Sequence, residues 1–150
     1  MLVWRLSHRA HSAFGGEGGL LKSARWHWAG VRIIYTSQHL SLAALEYFVN
    51  IGPDEQPVQV AARSAEIPDD VALERLIPAD LPRGWRTMDS GRLRDLGMKW
   101  LEAQRSAVLI VPSAPIPQES NCLLNPAHPE FARIRLHRAE PFSFDPRMWE

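Results

Sequence analysis

The stretch VRIIYTSQHLSLAALEYFVNI, residues 31–51, decides how the rest of the chain is read. Its first six residues, VRIIYT (31–36), are β-branched and aromatic, the composition of a buried strand. From residue 40 the apolar period changes. Leu42, Leu45 and Val49 recur at helical spacing, Phe48 widens the stripe, and Gly52-Pro53 ends it. The spacing predicts an amphipathic helix over 40–51. A strand that feeds directly into a helix, in a chain of short apolar runs, points to an α+β fold.

On the N-terminal side, LVWRL (2–6) reads as a short strand. Residues 7–30 show no clean period, and Gly15, Gly16, Gly18 and Gly19 make a run able to turn sharply or approach a ligand closely. On the C-terminal side, residues 57–67 alternate in part and read as a strand. A proline-punctuated passage follows, with a short strand at 71–76. Asp89 or Ser90 is placed to cap a helix running to about Arg105, with Leu93, Leu96, Trp100 and Leu101 as its apolar face. AVLIV (107–111) has the continuous apolar character of a fully buried strand. Pro112 to Asn121 reads as a loop, 121–125 and 133–137 as strands, and 128–132 as one helical turn. With no repeat and no linker, 1–150 reads as one domain.

Composition narrows the function. Lys plus Arg and Asp plus Glu are 17 each, so the chain lacks the positive excess of a sequence-independent nucleic-acid binder. No apolar run approaches a membrane span, and MLVWRLSHRAH lacks a secretory signal's apolar core, so a soluble cytoplasmic protein is expected. The single cysteine, Cys122, excludes an intrachain disulfide and a four-cysteine zinc site, and its two leucine neighbours suggest a buried thiol. The 12 prolines are spread along the chain and punctuate short elements. Gly16 and Gly18 begin a dinucleotide fingerprint, but Leu21 stands where its third glycine belongs; Walker A and nucleophile-elbow motifs are absent. His8 and His11 lack an evident third ligand, and no metal site is expected.

Five local patterns remain: RWHWAG (25–30) with Tyr35 at the end of the strand, Glu46 within ALEYF, VPSAPIP (111–117), NCLLNPAHP (121–129) and PFSFDPRM (141–148). In this order they resemble the RES-domain family, toxin halves of bacterial toxin–antitoxin pairs, across nearly the whole chain. The resemblance implies an ADP-ribosyltransferase-like fold, a single α+β domain with mixed sheets. It implies a cleft in which NAD+ is the substrate, with no further cofactor. Cleavage of the nicotinamide–ribose bond would arrest growth. It also implies a helix-turn-helix antitoxin that covers the active site and supplies any contact with DNA. A homodimer is the base-rate expectation for such a chain.

Bond cleavage through an oxocarbenium-like state needs a fixed negative charge, a partner for the pyrophosphate and a platform for the flat nicotinamide. The resemblance puts Glu46 in the first role, Arg25 in the second and Tyr35 in the third. From the residues alone, Glu46 better fits a solvated helix face and Tyr35 a core tyrosine with a satisfied hydroxyl, whereas Arg25 fits a cation–π contact with Trp26 or Trp28 equally well. Ser113, held between two prolines, is expected to bond substrate or Glu46. Asn121 is expected to bind substrate and Asn125 to organise the turn before Pro126.

The chain departs from the family pattern at Ala24, where glycine is usual, at His27, where asparagine is common, and at Cys122, often aromatic. Ala44 lies two residues before Glu46, where many protein-directed transferases carry Glu or Gln; this favours water or phosphate as acceptor. Transfer to a protein and a non-catalytic nucleotide-binding module are the alternatives.

Overall fold

The computed structural model describes residues 1–52, 54–87 and 91–149. Strand β1 spans Leu2–His8, longer than the apolar LVWRL run. The extension comes from its partner β3, Val60–Glu66, which pairs with it antiparallel over its whole length, from Leu2↔Glu66 to His8↔Val60. Strand β2 is Ile34–Ser37, displaced from the expected 31–36. The backbone just before it is engaged elsewhere: Gly30, at φ +110°, donates its N–H to the Gly19 carbonyl at 3.0 Å. Gly19 lies in the four-residue helix α1, Gly18–Leu21.

Strands β4 (Leu73–Arg75), β5 (Val108–Pro112), β6 (Ser120–Leu124), β7 (Arg135–Leu136) and β8 (Glu140–Phe142) complete one sheet. Its order is β4-β5-β6-β2-β1-β3-β7, with β8 also paired to β3. Every pairing is antiparallel except β4 with β5. That parallel pair needs a crossover, which carries helix α3, Gly91–Ala103. Single 3₁₀ turns lie at Pro78–Asp80, Pro129–Arg133 and Pro146–Trp149.

Several expected boundaries move. The strand at 133–137 contracts to β7, and 120–124 is strand where the loop was expected to reach Asn121. Strand β8 and the turn at 146–149 had no anticipated counterpart. Helix α3 stops at Ala103, short of Arg105, because Gln104 enters the left-handed region at φ +54° and its side-chain amide donates to the Leu101 carbonyl. The expected caps Asp89 and Ser90 lie outside the described residues.

Side-chain alternation sorts the core onto the two faces of the sheet. Val108, Ile110, Cys122, Leu124 and Ile34 join Val3, Ala65 and Ile67 on one face. Leu109, Val111 and Leu123 point the other way, onto Leu93, Trp100 and Leu101 of α3 together with Trp26 and Trp85. The expected apolar face of α3 is thus the packed one, with Leu96 only partly buried. Gly97 lets this helix touch the chain at Trp26, since a Cβ there would collide with the Trp26 carbonyl oxygen.

Helix α2, Leu40–Asn50, forms as expected, but its apolar stripe is not buried throughout. Leu42 and Ala43 are buried against β1 and β2, whereas Val49 is 55% exposed. Val49 lines the cleft and not the sheet, whereas Phe48 of the same stripe meets Trp149 edge to face with ring centres 5.2 Å apart.

Candidate active site

The cleft has a volume of about 800 Å³ and lies where β1, β2 and α2 meet the 24–26, 86–87 and 114–115 segments. Glu46 enters it from α2, one turn beyond the buried Ala43. Its Oε1 accepts the Ser113 hydroxyl at 2.8 Å and the Asn121 side-chain amide at 2.5 Å. Both of these donors meet Oε1, and no described residue donates to Oε2 in this network.

Both donors are themselves held. Ser113 is fully buried just past β5, and its Oγ accepts the Ile116 N–H at 3.2 Å. Asn121, on β6, accepts the Ser37 hydroxyl at 2.7 Å through Oδ1, which orients its amide N–H₂ toward Glu46. Ser37 and Asn121 face each other in the β2–β6 register. The carboxylate orientation is therefore set by two strands and a loop, not by α2 alone.

Tyr35 lies in β2 and presents part of its ring to the cleft. Its hydroxyl is satisfied from behind: it accepts the Trp26 N–H at 3.2 Å and lies 2.7 Å from Nδ1 of His27. Burial pushes its pKa well above the ordinary tyrosine value. The two readings open at the sequence level thus describe one side chain, a cleft wall with a satisfied hydroxyl.

Arg25 also lines the cleft, and donates to the carbonyls of Trp85 at 3.0 Å and Arg86 at 3.4 Å. The cation stacked over Trp28 is Arg94, 4.8 Å from the ring centre. Arg94 also donates to the Ala24 carbonyl at 2.9 Å, and Trp28 donates to Asp95 at 3.0 Å, so α3 holds the RWHW loop.

Two arginines escaped the sequence reading. Arg5 on β1 donates Nη1 to the Tyr35 carbonyl at 2.9 Å, while its Nε is buried with no partner among the described residues. Burial lowers its pKa from the usual arginine value, with Glu17 and Tyr35 opposing. The signal was a lone cation inside LVWRL. Arg86 donates to the carbonyls of Ala114 at 2.9 Å and Pro115 at 3.4 Å, tying its segment to the loop that carries Ser113. The cleft lining thus contains three arginines and a single carboxylate.

The remaining residues of interest lie apart. Asn125 organises a turn: its Oδ1 accepts the Ala127 N–H at 3.0 Å, while its buried Nδ2 has no partner among the described residues. His27 is 2% exposed and stands behind Tyr35. Cys122 is buried, and burial pushes its thiol up to about 12. His8 and His11 have ring centres 5.4 Å apart, and no group of three metal-ligating side chains occurs among the described residues. No helix among them is long and apolar enough to cross a membrane.

Comparison with known proteins sets this site in context. The family model of the RES domain matches residues 2–145. The chain is 34% identical over 152 residues to the "Prs ADP-ribosylating toxin" of Sphingobium sp. (strain YBL2), covering 97% of this chain and 94% of that protein. It is likewise 34% identical to "Toxin Res" of Photorhabdus laumondii, covering 99% of this chain and 97% of the relative. Among solved structures, a chain of the M. tuberculosis MbcT–MbcA toxin–antitoxin complex superposes with a TM-score of 0.77 at 13% identity. The match covers 99% of this chain and 86% of that one, and establishes a shared fold.

Proposed function

Because the chain belongs to the RES-domain family, we propose that it is a toxin that cleaves the nicotinamide–ribose bond of NAD+. The observation that carries the reading is the charge of the cleft, three arginines around one carboxylate. That balance suits a ligand with a doubly negative pyrophosphate at one place and a positive pyridinium ring at another. Arg25 and Arg5 serve the phosphates, since guanidinium groups give forked, permanently charged recognition. Tyr35 offers its ring to the nicotinamide.

In the reaction, the bond from ribose C1′ to the nicotinamide nitrogen breaks, and both electrons leave with nicotinamide, neutralising its ring. The positive charge that appears on the ribose faces Glu46. A preset carboxylate stabilises such charge without having to reorganise. Water or inorganic phosphate then forms the new bond to C1′, giving ADP-ribose or its phosphorylated form. A proton passes to solvent when water attacks. Serine 113 and Asn121 aim the Glu46 carboxylate; Ser113 has no adjacent base and is not a nucleophile.

One observation favours a second acceptor. The Sphingobium relative is named for ADP-ribosylation of Prs, and the same bond cleavage delivers ADP-ribose to a protein nucleophile. The fold shared with a toxin–antitoxin complex supports an antitoxin as partner, and a helix-turn-helix protein seated over the cleft would block substrate entry.

The test is nicotinamide release from NAD+ by the purified protein, with and without phosphate, beside Glu46→Gln. Release that falls at least about 100-fold in the variant is expected, as for loss of a preorganised charge. Release indifferent to Glu46 would overturn the assignment. NAD+ binding without release, and without transfer of label to lysate proteins, would mark a non-catalytic binding module.

A further inference from the structure

We infer that His27 is a positioning residue for Tyr35: its Nδ1 accepts the tyrosine hydroxyl hydrogen, so Tyr35 offers the cleft its ring and withholds its proton. The inference rests on the reading of the cleft as an NAD+ site, but its core is a statement about one hydrogen atom. Nε2 of His27 lies 2.9 Å from the Lys22 carbonyl oxygen. A carbonyl can only accept, so Nε2 carries the hydrogen. In a neutral ring Nδ1 is then a bare acceptor, and its partner among the described residues is the Tyr35 hydroxyl at 2.7 Å. Tyrosine 35 must donate. Its oxygen also receives the Trp26 N–H.

The surroundings hold this arrangement. His27 is 2% exposed, so bulk water does not compete for Nδ1. Its own carbonyl accepts the Ala24 N–H at 3.1 Å, which closes the loop beneath it. The two rings meet at a tilt of 50° with centres 5.6 Å apart, so the contact runs through the hydrogen bond and is not a stack. Gly19 keeps its side of the ring clear: a Cβ there would approach Nε2 to 3.3 Å. Two consequences follow for the proposed reaction. The Tyr35 hydroxyl does not protonate departing nicotinamide, and the ring plane facing the substrate is set by a residue that does not itself line the cleft.

The experiment has two arms. Nitrogen-15 NMR of the ligand-free protein at neutral pH, with His27 assigned by the resonance that disappears in His27→Asn, reads the tautomer directly. An imine-type Nδ1 and a protonated Nε2 are expected; the reverse assignment would overturn the inference, whatever the protein does to NAD+. The second arm is a cycle of His27→Leu, Tyr35→Phe and the double variant, scored by NAD+ affinity and by nicotinamide release. Each single change is expected to weaken both by about tenfold, the loss that accompanies a broken buried hydrogen bond. The double variant should be no worse than either single one. His27→Asn, which keeps an acceptor near Nδ1, should restore affinity to within about threefold of wild type. Additive losses, or no rescue by asparagine in a folded variant, would remove the positioning role. If wild type releases no nicotinamide, the function reading fails while the tautomer and affinity results still judge His27.

Discussion

The hydroxyl of Ser113 donates to Oε1 of Glu46 at 2.8 Å, from a loop past β5 to the second turn of α2. The bond crosses the floor of the cleft and joins parts of the chain that are distant in sequence. Removing it should misaim the carboxylate without removing its charge. Ser113→Ala is expected to lower kcat for nicotinamide release by about 10-fold or more, with a smaller change in KM. Loss of a hydrogen bond to a charged group is worth about 1.5–3 kcal/mol. Steady-state kinetics on NAD+ would check this.

Arg5 is half satisfied, with Nη1 on the Tyr35 carbonyl and Nε buried without a partner among the described residues. Arg5 also lines the cleft, where a ligand anion would meet its guanidinium. Arg5→Lys keeps the charge but loses the planar fork, and NAD+ affinity is expected to drop about tenfold or more. Isothermal titration would measure it. An unchanged affinity would mean that the guanidinium serves only the β1–β2 contact.

Burial pulls the His27 pKa below its ordinary value. The bonds to the Lys22 and Gly19 backbone oppose that shift, and Arg94 reinforces it. The unfolded chain therefore takes up a proton near pH 6.5, before the folded protein does. Between that pH and the lower folded pKa, the unfolded state binds more protons, so stability falls as the solution is acidified. Above about pH 6.5 this contribution is fully present. Melting temperature measured against pH should decline more steeply below 6.5 for wild type than for His27→Asn.

Gly97 has no room for a side chain against the Trp26 carbonyl. Gly97→Ala gains helix propensity but must push α3 away from the loop that holds Arg25 and His27. Overpacking of this kind costs about 1–3 kcal/mol. Urea denaturation should show a lower midpoint, and NAD+ affinity should fall with it.

Cys122 is buried in β6 with its thiol pushed up to about 12. It should resist a disulfide exchange reagent in the native protein and react only as the protein unfolds. Rapid labelling of native protein, counted by mass spectrometry, would contradict its place in the core.

Local chemistry was legible in the sequence wherever one element's own pattern decided the outcome. The helical period of LSLAALEYFVNI, the apolar AVLIV run and the face of α3 at Leu93, Trp100 and Leu101 all appear near their expected places. The chemistry-bearing residues of the family resemblance, Arg25, Tyr35, Glu46, Ser113 and Asn121, were named from short motifs, and all gather at one cleft or its floor. Three features had no such local signature. The length of β1 depended on β3, more than fifty residues away. The exposure of Val49 depended on the cleft it lines, since a helical stripe records which side is apolar and not how far its partner surface extends. The partners of Arg5, Arg86 and His27 depended on backbone carbonyls and a hydroxyl contributed by other elements. Periodicity and turn chemistry act between near neighbours and are written in order along the chain. The direction of a proton between Tyr35 and His27, and the aim of Glu46, are set across the fold by groups that only packing brings within hydrogen-bonding distance.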